Sequence, residues 1–482
     1  MSREKYDAVI IGSGPNGLSA AIALVRSGHS VLVLEAHDTI GGGCRTLPLT
    51  LPGFRHDVCS SIHPMAVISP FWRELPLAEH GLEWVFPPTP CAHPFDDGTA
   101  AALEQSVGST ADTLAEDGPA YRRHVGPLVE VANDLFGDLF GPLRLPRYPI
   151  AALKFGRAAI RSVEGLCRKW FTGLKARALL AGLGGHAVLP LDHRPGAAIA
   201  LMLGLAGHAV GWPSPRGGAQ TLADALASYF RSLGGEIETG RRVESLAELP
   251  PSRVVFFDLS PKQIVTLASD RLTPRYLRKL SRFRYGPAVF KIDYALREPI
   301  PWRAEACRRA GTVHVGGTFE EIADSERAAW NGEHCEKPYL IVTQPGRFDP
   351  SRAPAGQTTA WAYCHVPNGS TADMTEPIES QLERFAPGFK DCVLARAVHS
   401  PADIERYNPN YVGGDIAAGA HTLWQMFARP VASLNPYATS DSALFICSAS
   451  TPPGGGVHGM CGFAAAKSAL SRLRLSGAEN AR

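Results

Sequence analysis

The run Tyr6-Asp-Ala-Val-Ile-Ile-Gly-Ser-Gly-Pro-Asn-Gly, followed by Val31-Leu-Val-Leu-Glu35, leaves the start of this chain few ways to fold. Ala8 to Ile11 is a short apolar run of the kind buried in a parallel sheet. Gly12, Gly14 and Gly17 supply a tight turn, close backbone approach to a pyrophosphate and close helix-to-strand packing. With Pro15 and Asn16 they open a helix predicted over about 16–27, whose free N–H groups face the phosphates. Glu35 ends the second strand at the spacing of an acid that hydrogen-bonds a ribose hydroxyl, with Ala36 behind it. Glycines cluster in turns for conformational reasons alone. Here strand, helix and acid all fall in place, so the chain is expected to bind an adenine dinucleotide.

A second glycine cluster, Gly41-Gly42-Gly43, closes on Arg45 and Thr46. It brings backbone N–H groups and a guanidinium toward the same pyrophosphate, a grip suited to a permanently held cofactor, and so favours FAD over NAD.

The run from Glu35 through Arg45-Thr46, with Leu51-Pro-Gly-Phe-Arg-His-Asp57, resembles the FAD-binding signature of the amine oxidase and phytoene desaturase superfamily. Asn408-Pro-Asn-Tyr-Val-Gly-Gly-Asp415, Gln425, Arg429-Pro430 and Pro452-Pro-Gly-Gly-Gly-Val-His-Gly459 resemble its branch of pyridine nucleotide-disulphide oxidoreductase domain-containing 2 proteins. The likeness is dense over about 6–64 and 405–470, visible at Arg216-Gly-Gly-Ala-Gln220 and diffuse elsewhere. It implies an α/β fold: a Rossmann-like FAD-binding domain of the glutathione reductase type, interleaved with an α+β substrate domain. The FAD domain is expected to take 1–72, 215–285 and 430–482, and the substrate domain 73–214 and 286–429. The resemblance also implies that Val243 touches the adenine through its backbone, and that a sheet floors the substrate cavity under a helical roof.

Dithiol chemistry is not expected, because none of the ten cysteines falls in a Cys-x-x-Cys pair. Ten cysteines behind a short charged N-terminus, with no signal peptide, favour a reducing compartment and a cytoplasmic location. A net charge of +2 and the lack of aromatic-basic repeats argue against nucleic acid. No apolar run reaches the roughly 20 residues of a membrane span, and Gly196 to Trp212 is read as a buried helix. Over 151–183, Lys154, Arg157, Arg161, Arg168, Lys169, Lys175 and Arg177 interleave with Leu153, Phe155, Ile160, Leu166, Trp170 and Phe171. That pattern suits a cationic amphipathic helix on a bilayer, or else the solvated outer face of a helical cap.

Along the chain, a helical pattern from Gly217-Gly218 to Gly234-Gly235 precedes an alternating strand over 236–246 and a buried strand at Val254–Phe257. Residues 73–212 read as mostly helical, punctuated at Pro87-Pro88, Asp96-Asp97-Gly98 and Pro146. Strands are expected at 288–294 and 339–343, and a helix at 376–385.

Near the C-terminus, Ala443 to Cys447 is a strand, and Gly454-Gly455-Gly456 is expected to open a helix running to about residue 470. Its N-terminus, with Gly455, Gly456 and Val457, would face the flavin pyrimidine ring in the family and stabilise negative charge there. Gly454-x-Gly456-x-x-Gly459 is no second Rossmann turn, since no strand and acid follow. Histidines are the expected acid-base groups. His458, in the flavin-facing turn, and His63, after the Asp57 segment, are the candidates, while His186 and His208 read as core residues. No metal-binding pattern occurs. The expected activity is removal of hydride from a C–H bond of a largely apolar organic substrate, with oxygen or a quinone as electron acceptor. The alternatives are an amine oxidase-like or isomerase activity, or a flavin-bound assembly protein with little turnover.

Overall fold

The computed structural model describes residues 5–141 and 145–479. Its first sheet has five parallel strands in the order Leu444–Ile446, Ser252–Phe257, Tyr6–Ile11, Val31–Leu34 and Glu236–Glu238. Both faces are covered, which is why these strands read as nearly unbroken apolar runs. Ala8, Ile10, Val31, Val33 and Phe256 face helices Pro15–Val25, Ala219–Ser232 and Met460–Glu479. Ile11, Val255, Phe257 and Ile446 face the helices Pro261–Leu267 and Pro274–Leu280. This is the expected Rossmann-like α/β plan.

The second sheet has seven strands in the order Val393–His399, Ala288–Leu296, Thr358–Val366, Leu340–Thr343, Ala310–Val315, Thr89–Pro94 and Ala100–Leu103. The last two interrupt a stretch, 73–212, that is otherwise mostly helical as expected: Asp96-Asp97-Gly98 is a hairpin turn, with Gly98 at φ +82°, joining two strands of small residues. Ala360, Ala362, Cys364 and Val366 point to one face, against the helix Thr375–Phe385. The opposite face looks toward the helices Leu174–Gly185 and Phe319–Asn331 and toward the dinucleotide domain.

Three expectations are corrected. The alternating strand over 236–246 stops at Glu238, because Gly240 turns the chain at φ +69°. The C-terminal helix begins at Met460 instead of Gly454, since Gly454, Gly456 and Gly459 take φ of +114°, +122° and +67°, outside the right-handed helical region. The cationic stretch 151–183 forms three short helices, Pro149–Ala159, Val163–Trp170 and Leu174–Gly185, rather than one. The Ser162 side chain caps the second by accepting from the Gly165 N–H.

Candidate functional site

The glycine turn is built for close approach. A β carbon on Gly17 would lie 2.2 Å from the Gly12 carbonyl oxygen, so only glycine lets the helix pack on the strand. Gly42 takes φ +56°, and a β carbon there would lie 3.2 Å from Gly14 Cα. The two glycine loops therefore abut, forming one continuous backbone floor. Pro15 starts the first helix, and Asn16 beside it is buried with its Oδ1 unpartnered among the described residues. Gly43 carries no β carbon because the Tyr411 hydroxyl occupies that space.

Glu35 is buried and takes four hydrogen bonds from protein groups. Oε2 accepts from Ser13 N (3.1 Å) and Ser13 Oγ (2.5 Å), and Oε1 from His37 N (2.9 Å) and Arg45 Nη2 (3.1 Å). Arg45 is also held by the Thr39 carbonyl, to which Nε and Nη2 donate at 3.0 and 2.8 Å. The guanidinium thus organises the loop through Glu35 and Thr39, a different placement from the phosphate grip expected of it. Ala36 is exposed just beyond. Val243 is half-buried in the segment that Arg241 N ties to the Glu35 carbonyl at 2.8 Å.

Thr46 Oγ1 donates to Asp57 Oδ1 at 2.7 Å and accepts from Gln220 N at 3.1 Å. Asp57 is fully buried and binds Arg352 through both oxygens, at 3.0 and 2.9 Å, while taking the Ala219 N–H and the Ser61 hydroxyl. Burial alone would raise its pKa, but Arg352 holds the carboxyl well below the usual range. Thr46 therefore serves this network.

At the other end, Gly455 carries no side chain because the Ala417 carbonyl oxygen would lie 2.6 Å from a β carbon, and Gly456 is exposed between it and half-buried Val457. His458 is buried edge-on against Phe140, and its Nδ1 accepts the Met460 N–H at 3.0 Å. Burial lowers its pKa to about 4, and the capping bond occupies the lone pair a proton acceptor would need. That geometry makes it the cap of the last helix. His63 is also buried and lowered to about 4 by burial; its Nε2 lies 3.1 Å from Ser60 Oγ, and its Nδ1 has no partner among the described residues. Ser60 in turn donates to the Gly43 carbonyl, so His63 stands one residue removed from the second glycine loop.

The sequence reading missed a group on the second sheet. Cys59, Val289, Lys291, Tyr363, Tyr407 and Tyr411 border a cavity of about 90 Å³ beside Gly43. Buried Lys291 pairs with Asp293, donates to the Asp57 carbonyl at 3.1 Å and lies 5.3 Å from the Trp361 ring centroid. Burial would raise Asp293, yet Lys291 and two histidines keep it below the ordinary carboxylate value. Lys291-x-Asp293 on a strand places both side chains on one face, and that spacing was the available signal. All ten cysteines are free thiols. Among the described residues, no group of three or more His, Cys, Asp or Glu side chains could hold a metal ion.

A dinucleotide turn backed by a second glycine loop, on a sheet of this order, defines an oxidoreductase fold. Residues 10–75 match the NAD(P)-binding Rossmann-like domain family. Along most of its length the chain is similar to proteins of the flavin-dependent amine oxidase and phytoene desaturase superfamily. It is 27% identical to pyridine nucleotide-disulfide oxidoreductase domain-containing protein 2 of Rattus norvegicus, over 95% of this chain and 92% of the relative. It is 24% identical to the neurosporene-forming phytoene desaturase of Rhodobacter capsulatus, over 94% and 92% respectively. Putrescine oxidase bound to putrescine has a similar fold, with a TM-score of 0.63 at 17% identity, covering 98% of this chain and 99% of that one.

Asp258, after the strand Ser252–Phe257, places Oδ2 3.0 Å from Gly17 N, inside the glycine turn. Burial raises its carboxyl from 3.8 to about 7; the Gly17 and Gly14 N–H groups oppose the rise and Glu35 adds to it. Because the folded value exceeds the unfolded one, the native state holds an extra proton between the two. This stabilisation is complete below pH 3.8 and is lost as pH rises through about 7. Asp258→Asn should therefore melt several degrees higher than the parent at pH 8 and close to it at pH 5, as measured by calorimetry; equal melting curves at pH 8 would rule the effect out.

Proposed function

We propose that the protein is an FAD-dependent oxidoreductase that takes hydride from a C–H bond of a largely apolar organic substrate. The observation that carries this reading is the abutment of the two glycine loops at Gly14 and Gly42, with Asn16 Oδ1 buried and unpartnered beside them. The cofactor would be held by the turn Gly12–Gly17, by Glu35, Gly42 and Gly43, by the backbone at Val243, and by Gly455, Gly456 and Val457. When bound, FAD supplies a two-electron acceptor. Leu47, Leu49, Val58, Val289, Ile404 and Ile416 around the cavity favour a substrate with an apolar body. The hydrogen bond from Lys291 to the Asp57 carbonyl and the ion pair of Arg352 with Asp57 hold the cavity floor against the segment that follows the second glycine loop. Purified protein should carry FAD, identified by its spectrum and by chromatography after release. Gly14→Val should lose it, because a side chain there blocks approach to the turn; full occupancy in a folded variant would refute the assignment.

Electrons are proposed to come from the organic substrate and leave to oxygen or a quinone. The chain carries one dinucleotide turn followed by strand and acid, and that turn is assigned to FAD. In anaerobic stopped-flow mixing, NADH and NADPH should therefore bleach the flavin only slowly. Rapid, saturable bleaching by either would make the protein a nicotinamide-driven reductase.

We also propose contact with an anionic membrane surface through the helix Pro149–Ala159. No helix among the described residues is long and apolar enough to cross a membrane. That helix nevertheless turns Ile150 and Leu153 outward at 72% and 63% exposure, beside exposed Lys154 and Arg157. Such a face suits the boundary between anionic headgroups and acyl chains. Co-sedimentation with phosphatidylglycerol vesicles should exceed that with phosphatidylcholine vesicles and should fall on substitution of Ile150→Glu with Leu153→Glu; equal binding by parent and variant would exclude this face.

A further inference from the structure

The amides of the glycine turn face the chain's own acids. Ser13 N donates to Glu35 Oε2 at 3.1 Å, and Gly17 N donates to Asp258 Oδ2 at 3.0 Å. The Gly14 N–H also faces Asp258, and Pro15 has no N–H to give. A β carbon on Gly14 would lie 2.6 Å from Asp258 Oδ2, and one on Gly17 would lie 3.0 Å from it. That carboxyl therefore stands within the turn, where an anion at the start of the helix Pro15–Val25 would seek the same donors.

The two acids are not equivalent. Glu35 has the Arg45 guanidinium at 3.1 Å, so its charge is balanced inside the protein. The titratable groups facing Asp258 are Glu35, from the end of the strand Val31–Leu34, Cys447, behind the strand Leu444–Ile446, and Cys461, in the first turn of the helix Met460–Glu479. Burial keeps both thiols protonated, pushing Cys461 up to about 11 and Cys447 well above its ordinary value. Asn410, beyond the helix Pro401–Tyr407, donates Nδ2 to the Asp258 carbonyl at 3.3 Å and accepts the Ser260 N–H at 2.6 Å, which fixes the backbone carrying the carboxyl. An ionised Asp258 would set a further negative charge beside a doubly charged pyrophosphate and keep the Gly17 amide from it. A protonated Asp258 removes that repulsion and has an O–H to donate.

From this geometry we infer that Asp258 takes up a proton when the dinucleotide binds, so that cofactor affinity is set by pH through this one side chain. The inference rests on the FAD reading. Its sign follows from the carboxyl's surroundings. Burial raises the group to about 7, so it is neutral below that pH and charged above it. Affinity should be highest and flat on the acid side. On the alkaline side it should fall, approaching tenfold per pH unit where only the protonated form binds.

Binding of FAD to the flavin-depleted full-length chain, followed by quenching of flavin fluorescence between pH 6 and 8.5, tests this without turnover. FAD itself does not change charge over that interval. The parent's dissociation constant should rise by roughly 30-fold from the acid to the alkaline end. Calorimetry in buffers of different ionisation enthalpy should record uptake of nearly one proton per FAD at pH 8.5 and almost none at pH 6. Both readings need only the parent chain. Asp258→Asn, neutral at every pH and still a donor, should flatten the curve and bind at pH 8.5 as tightly as the parent does at pH 6. A parent constant that does not change with pH, or no proton uptake at pH 8.5, overturns the proposal. So does a folded Asp258→Asn that keeps the parent's slope or binds FAD more weakly than the parent at pH 8.5. If FAD fails to bind the parent at any pH, the FAD reading itself falls; tight binding that ignores pH leaves that reading standing and removes the part given to Asp258.

Discussion

The buried pairing of Asp57 with Arg352 joins the two halves of the molecule. Asp57 belongs to the segment after the second glycine loop, and Arg352 to the turn entering the strand Thr358–Val366. Each is fully removed from water, so removing either partner would leave an uncompensated buried charge, at a cost of about 3–5 kcal/mol. Around the pair, Asp57 takes the N–H that starts the helix Ala219–Ser232, Thr46 bridges to the same helix, and Asp349 holds Gly217. The glycine loop, the helix behind it and the floor of the cavity therefore share one electrostatic anchor. Their mutual placement is set by charge geometry rather than by apolar packing alone.

That anchor explains why the cavity can be polar on one side. The opposite face of the second sheet is packed with Ala360, Ala362, Phe385 and Phe389, which supplies stability without polar demands. The inner face is then free to carry Lys291, Asp293, Trp361, Tyr363 and His365. Each belongs to a strand whose outward residues are already buried, so the side chains stand on a rigid support. Asp293 and Glu326 each pair a cation or imidazole on that face, and the protein thus places its charges in compensating pairs around the cavity.

The turn at Gly12–Gly17 shows the same economy. Asp258 reaches it from the strand on one side and buried Glu35 from the strand on the other, with Asp258 half-buried. Two carboxyls converging beside the turn proposed to hold the dinucleotide would repel its phosphates if both stayed charged. Arg45 neutralises one, and burial favours the protonated form of the other.

The strand-turn-helix start, the parallel sheet and the abutting glycine loops were legible from the chain alone. A buried parallel strand must be apolar throughout, and a phosphate turn must lack β carbons, so both constraints are written in residue type at short range. The helical pattern between Gly218 and Gly234 and the strand expected at 288–294, which extends to Leu296, followed from local periodicity for the same reason. Positive backbone angles at Gly454 and Gly456 were not legible, and they move the last helix to Met460 and turn His458 into its cap. Nor was the partner of Arg45, or the meeting of His365 with Glu326 across 39 residues. Trp361-x-Tyr363-x-His365 marks a polar strand face in the sequence, but not what faces it. Only the tertiary structure decides which buried polar atoms find partners and which are left open, because that depends on distant elements closing over them.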